Sequence, residues 1–226
     1  MANKEIAEKK DLFPQELPES QQGSGRGNED VGGDRSISRL NLLQDLSPQC
    51  SKTKPEYIEG AEAGMLYNTD TGSLDESVLL VNMYYRKDWA VFKKQDFGGG
   101  YDGSYDSKEE AEQYFEDNPT LIREQYDIVE TAHHYCVVID EEGSMVDIVE
   151  VIMSSTKLRI SDQWNKLIAQ KGGDRFSSVW RLGSQVQSGN NFSWFNFKVD
   201  FVGYTPDALH QDLADSYDFL KQKQAA

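Results

Sequence analysis

Between Asn190 and Phe201 the chain reads NNFSWFNFKVDF, a run with a period of two. Successive side chains on a β-strand point to opposite faces. Phe195, Phe197, Val199 and Phe201 therefore share one face, and Phe192, Trp194, Asn196, Lys198 and Asp200 share the other. The first set is apolar throughout, which marks a core face. The second sets rings beside amide and charged groups, which a core does not require. A one-residue slip of register would exchange the two sets, so the pattern fixes a strand buried on one side.

The same alternation runs through VLLVNMYYRKDWAVFKK, which predicts one long strand from Val78 to about Lys94, bent near Lys87–Asp88. Leu79, Val81, Met83 and Tyr85 fall on one face of it, and Leu80, Asn82, Tyr84 and Arg86 on the other. Leu40, Leu42, Leu43 and Leu46 form a strand or short helix that stops at Pro48. Met65–Tyr67 reads as a short strand before the turn NTDTG. Tyr135–Ile139 and Val146–Met153 read as a hairpin across DEEGS, and FSSVWRLGSQVQ pairs with the aromatic run across SGN. Three helices are predicted. One follows Ser107 as N-cap, with Glu110 as its capping-box partner and Pro119 beyond its end. One ends at Gly172 with Leu158, Trp164, Leu167 and Ile168 on its apolar face, and a terminal one gathers Leu209, Leu213, Tyr217 and Leu220. Strands, hairpin, helix, hairpin and terminal helix predict a mainly β chain with flanking helices (α+β). The simplest closure is an OB-like five-stranded barrel with a helix between strands 3 and 4. Residues 36–204 are the barrel domain, with 97–130 as an acidic insertion and 205–226 as a C-terminal amphipathic helix. Residues 1–35 are Gly-, Ser- and charge-rich with little to bury, which predicts a disordered arm.

Charge is uneven along the chain. The net charge is −16, yet ten acids face two bases between Tyr101 and Glu130, while residues 131–204 hold eight acids and seven bases. Loose attraction to nucleic acid over the whole surface is excluded, but a local contact on the C-terminal half is not. The two cysteines, Cys50 and Cys136, make no disulfide framework or CxxC pair, which fits a reducing compartment. No apolar run approaches the roughly 20 residues of a membrane span.

Catalytic signatures are missing. No GxSxG, HExxH, P-loop or CxxC spacing occurs, and the acids of DEEGSMVD lack the spacing of a calcium loop, so no enzyme, cofactor or metal is expected. His133 and His134 are adjacent, so on a strand they point to opposite faces and cannot chelate together. Ring-plus-cation clusters recur on strands instead. Proteins that hold single strands combine a basic groove with rings on which bases stack. The candidate contacts are Tyr84, Arg86, Trp89, Lys93, Lys94, Trp180, Arg181, Phe192, Trp194 and Lys198.

Several stretches together resemble a group of bacteriophage early proteins that bind single-stranded DNA, the Drc-like proteins of podophages. They are SRLNLLQDLSPQ, YIEGAEAGMLYNTDTG, VNMYYRKDW, GGGYDGSY, SSTKLRISDQWNKL and VWRL followed by SWFNFKV. The resemblance implies an OB-like core, sequence-independent binding to single-stranded DNA and self-assembly. It also implies a role in early replication or transcription in the cytoplasm of the infected bacterium. A competing expectation is an acidic phage adaptor that binds a polymerase or host protein through segment 101–130.

Overall fold

The computed structural model describes residues 37–189 and 192–224, the last seven by backbone alone. The expected arm at 1–35 lies outside them. The described residues form one sheet of nine strands. At its centre is an antiparallel meander of β4 (Val78–Lys93), β6 (Tyr126–Ile139) and β7 (Met145–Ser154). These strands are rich in β-branched and aromatic residues, which fit a pleated, half-buried surface. The β6–β7 turn forms at the DEEGS signal. Gly143 takes φ +84° there and Asp140 accepts from the Ser144 N–H at 2.7 Å.

On one side, β1 (Ser38–Leu42) runs parallel to β7, followed outward by β2 (Leu66–Asn68) and β3 (Leu74–Asp75). On the other side, the free edge of β4 is divided. Val78–Val81 pairs with β8 (Ser178–Ser188), and Trp89–Phe92 pairs with β5 (Tyr101–Tyr105). The last strand, β9 (Ser193–Tyr204), pairs with β8.

The sheet curls into a half-barrel. A five-stranded count is thus corrected to nine, and the added strands have identifiable sources. The Gly/Tyr/Asp stretch inside the supposed insertion is β5. The supposed insertion also supplies the first residues of β6, which starts at Tyr126 and not at Tyr135. The irregularity in β4 falls between Asn82 and Tyr84, not near Lys87–Asp88. Beyond it, Tyr84, Arg86 and Asp88 share one face of the strand.

Where a closed barrel would join its first and last strands by a ladder, a side chain makes the bridge. Gln44, just after β1, donates through Nε2 to the Phe195 carbonyl and accepts the Phe195 N–H at Oε1, both at 3.0 Å. The Phe195 ring lies against Gly64, whose φ is +93°. A Cβ there would sit 2.5 Å from the ring, so only glycine allows this approach.

Two helices cover the two faces of the sheet. Helix α2 (Leu158–Lys171) buries Ile160, Trp164 and Ile168 against Leu80, Cys136, Val149, Trp180 and Phe197. Helix α3 (Asp207–Gln224) buries Leu209 and Leu213 against Val81, Met83, Val137 and Val179, so the terminal helix is part of the core. Each fully buried side chain of this size contributes about 1.5–3 kcal/mol. Helix α1 (Lys108–Asp117) starts at Ser107, whose Oγ accepts from the Glu110 N–H at 3.1 Å. It seals a smaller cluster of Ala111, Phe115, Val91 and Tyr126.

Candidate functional sites

The ten candidate contacts do not converge on one groove. Trp180 is fully buried, edge-on to Trp164 in the core beneath α2, so its assignment as a surface contact is corrected. Tyr84 lies among the residues under α3, 6.5 Å from the Tyr217 ring. Trp89 packs with the α1 cluster and has the Lys108 ammonium 5.9 Å from its ring.

The cations are mostly engaged. Lys94 lies 3.7 Å from Asp127 and donates to the Glu124 carbonyl at 2.8 Å. Lys93 sits 5.9 Å from the Tyr126 ring. Lys198 is 2.7 Å from Asp200. Arg181 is 3.8 Å from Glu141, in a groove it shares with Asp75, Asp140, Glu142 and Asp147. Those carboxylates would repel a phosphate.

What stays together at the surface is the end of the β8–β9 ribbon. Phe192 is 70% exposed, and its ring centroid is 5.3 Å from that of the half-buried Trp194 at 38°. Exposed Val186 lies on the opposing strand, and exposed Lys198 lies further along β9. The polar face read from the sequence is partly closed. Asn196 is fully buried and donates through Nδ2 to the Thr156 carbonyl and Gln187 Oε1 at 3.2 and 3.0 Å. The expected core face opens at its far end, where Phe201 is 36% exposed beneath the Lys171 ammonium at 3.6 Å.

A second constellation was not apparent in the sequence. Register brings Arg86 of β4 opposite His133 of β6, and Tyr135 of β6 opposite Glu150 of β7, which in turn faces Arg39 of β1. His133 Nδ1 lies 2.7 Å from Glu150 Oε1, and Nε2 lies 3.1 Å from Asp88 Oδ1. The second contact is an ion pair off the line of a straight hydrogen bond. Arg86 reaches Asp88 at 3.3 Å and the Tyr135 hydroxyl at 3.4 Å, while Arg39 reaches Glu150 at 3.5 Å.

Asp88, His133 and Glu150 are all more than nine-tenths buried. Burial alone would push the His133 pKa down, but the two carboxylates outweigh it and the net direction is up. Burial likewise opposes the charged forms of Asp88 and Glu150. His133 with Arg86 and Ser104 on the first, and His133 with Tyr135 and Arg39 on the second, bring both below the usual carboxylate range. These shifts favour an imidazolium between two carboxylates. The sequence carried one signal for it: Arg86 and Asp88 share a face in the middle of an apolar strand.

His134 points the other way. It stacks on Trp164 at 4.6 Å, meets Asn82 Nδ2 through Nδ1 at 2.9 Å and Ser161 Oγ through Nε2 at 2.8 Å. Burial, then the Arg175 charge, holds its pKa well below the ordinary histidine value. The ring is therefore neutral, with Nδ1 accepting and Nε2–H donating. As the sequence indicated, the two histidines point to opposite faces of β6. Among the described residues no group of three or more His, Cys, Asp and Glu side chains suits a metal ion, and no helix is long and apolar enough to cross a membrane.

No curated protein and no solved structure matches the chain. A family model does, over residues 7–226. Of the resemblance drawn from the sequence, this match shows the phage setting. With nearly the whole chain covered, the protein belongs to the Pam3 phage gp34-like protein family.

Proposed function

We propose that this phage protein is a non-catalytic, sequence-independent single-stranded-DNA-binding protein of the infected cell's cytoplasm, acting in early replication or transcription. The observation behind this reading is the exposed Phe192 ring beside Trp194 at the end of the β8–β9 ribbon. Rings presented this way stack on bases of any sequence, at about 1–3 kcal/mol per base. Because most of the candidate cations already face carboxylates, stacking carries more of the affinity than charge does. The salt dependence is then shallow, close to that of one or two phosphate contacts.

Self-association belongs to the same reading. β9 is an edge strand, and an antiparallel pairing of two copies about Val199 would set each Lys198 opposite the other copy's Asp200.

Fluorescence anisotropy of labelled oligo-dT tests the proposal at low and moderate salt. Binding that weakens roughly tenfold or more in Phe192→Ala and in Trp194→Ala, with Trp89→Ala unchanged, is the expected outcome. Wild-type protein that leaves oligo-dT free at low salt overturns the reading. Sedimentation of the free protein tests the self-association, and a monomer at every concentration ends that part.

A protein-binding adaptor is the second reading, favoured by the outer side of α1. Lys108, Glu109, Glu112, Gln113 and Glu116 line a shallow acidic groove there. Deleting the segment would uncover Val91 and Tyr126, so charge reversal at Glu109 and Glu116 is the cleaner probe. Loss of a phage polymerase or host partner with DNA binding retained would favour the adaptor.

A further inference from the structure

The sheet face beneath α3 does not stay covered along its whole length. Leu209 and Leu213 cover Val81, Met83, Tyr135 and Val137. Further along β4 the same face carries Arg86, Asp88, Ala90 and Phe92, and these line an open hollow of about 340 Å³. The volume has a simple origin. Ala90, Ser104, Thr131 and Ser154 stand on four neighbouring strands where larger side chains would fill the space. A hollow of this size falls at the small end of ligand sites.

Its chemistry is polarised. Arg39 and Arg86 face the two carboxylates of Asp88 and Glu150, with His133 between these, so the hollow carries no net negative charge in a chain of net −16. Both carboxylates are occupied by His133 and an arginine. The guanidinium of Arg39 touches Glu150 through Nε, and its side chain is 60% exposed. Its terminal nitrogens make no hydrogen bond among the described residues, and neither does Nη2 of Arg86. These are forked donors shaped for a phosphate or carboxylate. Elsewhere the lining is aromatic. Phe92 and Tyr101 pair at 5.6 Å and 59°, and are 40% and 63% exposed. The hydroxyls of Ser104, Thr131 and Ser154 line the space along with them.

We propose that this hollow binds a phosphomonoester carried on a flat ring system, of the nucleoside monophosphate class. The phosphate is held by Arg39 and Arg86, and the ring rests on Phe92 and Tyr101. The triad of Asp88, His133 and Glu150 also lines the hollow, where its ion pairs hold Arg86 and Arg39 in place. The site is separate from the β8–β9 ribbon and does not depend on it. Such a phosphate has two sources, a free nucleotide or the 5′ end of a DNA strand.

Titration calorimetry on the full chain at low ionic strength tests it with deoxyadenosine 5′-monophosphate, inorganic phosphate and deoxyadenosine. The expected order is saturable binding of the nucleotide, weaker binding of phosphate and none of the nucleoside. Arg39→Ala, a change at an exposed side chain, lowers nucleotide affinity roughly tenfold, the loss of one charge-assisted contact. Tyr101→Ala weakens the nucleotide and leaves phosphate unchanged. The Phe192→Ala/Trp194→Ala double variant binds as wild type, which separates this site from the ribbon. A preference for 5′-phosphorylated over 5′-hydroxyl oligo-dT assigns the strand end as the source, and equal binding of the two assigns the free nucleotide. No saturation by about 10 mM nucleotide, or an affinity that Arg39→Ala leaves untouched, overturns the proposal.

Discussion

His133→Ala is expected to destabilise the fold by about 3–5 kcal/mol, the loss seen when one partner of a buried ion pair is removed. The alanine leaves Asp88 and Glu150 facing a space with no charge between them, each more than nine-tenths buried. The arginines do not compensate fully, since each touches only one carboxylate.

The pH dependence identifies the cause. The His133 pKa is raised in the fold, so its contribution is complete below about pH 6.5 and fades as pH rises through the folded value. Asp88 and Glu150 are lowered, so their contributions are present above about pH 4–4.5 and fade as pH falls through their folded values. His134 is buried neutral, so it removes stability as pH drops below about 6.5. Among these four groups only His133 weakens the fold on going from neutral to mildly alkaline pH. Urea unfolding between about pH 6.5 and 8, below the ionisation of the unfolded cysteines, should show a declining limb in wild type and none in His133→Ala. A deficit under about 1 kcal/mol, within the range of exposed pairs, or an alkaline limb that survives the substitution would show that the triad is not charged as described.

Trp164→Ala carries the second large effect, about 3–5 kcal/mol from lost burial and the cavity left behind. Trp164 is fully buried at the centre of the α2 face, stacked on His134 and edge-on to Trp180. Its indole N–H has no acceptor among the described residues. Trp164→Phe therefore gives up volume without breaking a hydrogen bond, and should retain roughly half of the difference. The alanine variant also opens the environment of His134, so its loss of stability below about pH 6.5 should lessen. Thermal and urea unfolding with near-ultraviolet circular dichroism reads both variants. A cost below about 1.5 kcal/mol would mean that α2 packs more loosely on the sheet than these contacts require.

Local rules anticipated much of this fold. Ser107 caps α1, DEEGS turns the chain between β6 and β7, and the spacing of Trp164 and Ile168 faces α2 inward. Alternation placed Phe197 in the core and Phe192 outside it. What escaped depended on partners distant in sequence. GGGYDGSY reads as a loop until the end of β4 offers it an edge. Trp180 reads as amphipathic until α2 and Phe201 enclose it. The ion cluster draws on positions 39, 86, 88, 133 and 150, which no local pattern links, and only the register of four strands assembles it. The surface ring pair was legible because both of its members belong to one short run.

The parallel pairing of Ser38 and Arg39 with Val149 and Glu150 has a kinetic consequence. As the chain emerges during synthesis, β1 has no parallel neighbour until β7 exists, and Leu40 and Leu42 wait beside water until then. The start of β4 waits longer still, for β8. The meander from Val78 to Ser154, like the β1–β2–β3 and β8–β9 hairpins, can assemble before these two distant ladders do. Non-local ladders of this kind slow folding because loop closure precedes their reward. Pulse-labelled hydrogen exchange should protect β6 and β7 in an early phase, with β1 and β8 following. Simultaneous protection of all four would contradict that order. Until β7 arrives, one edge of β1 stays open to capture by another chain.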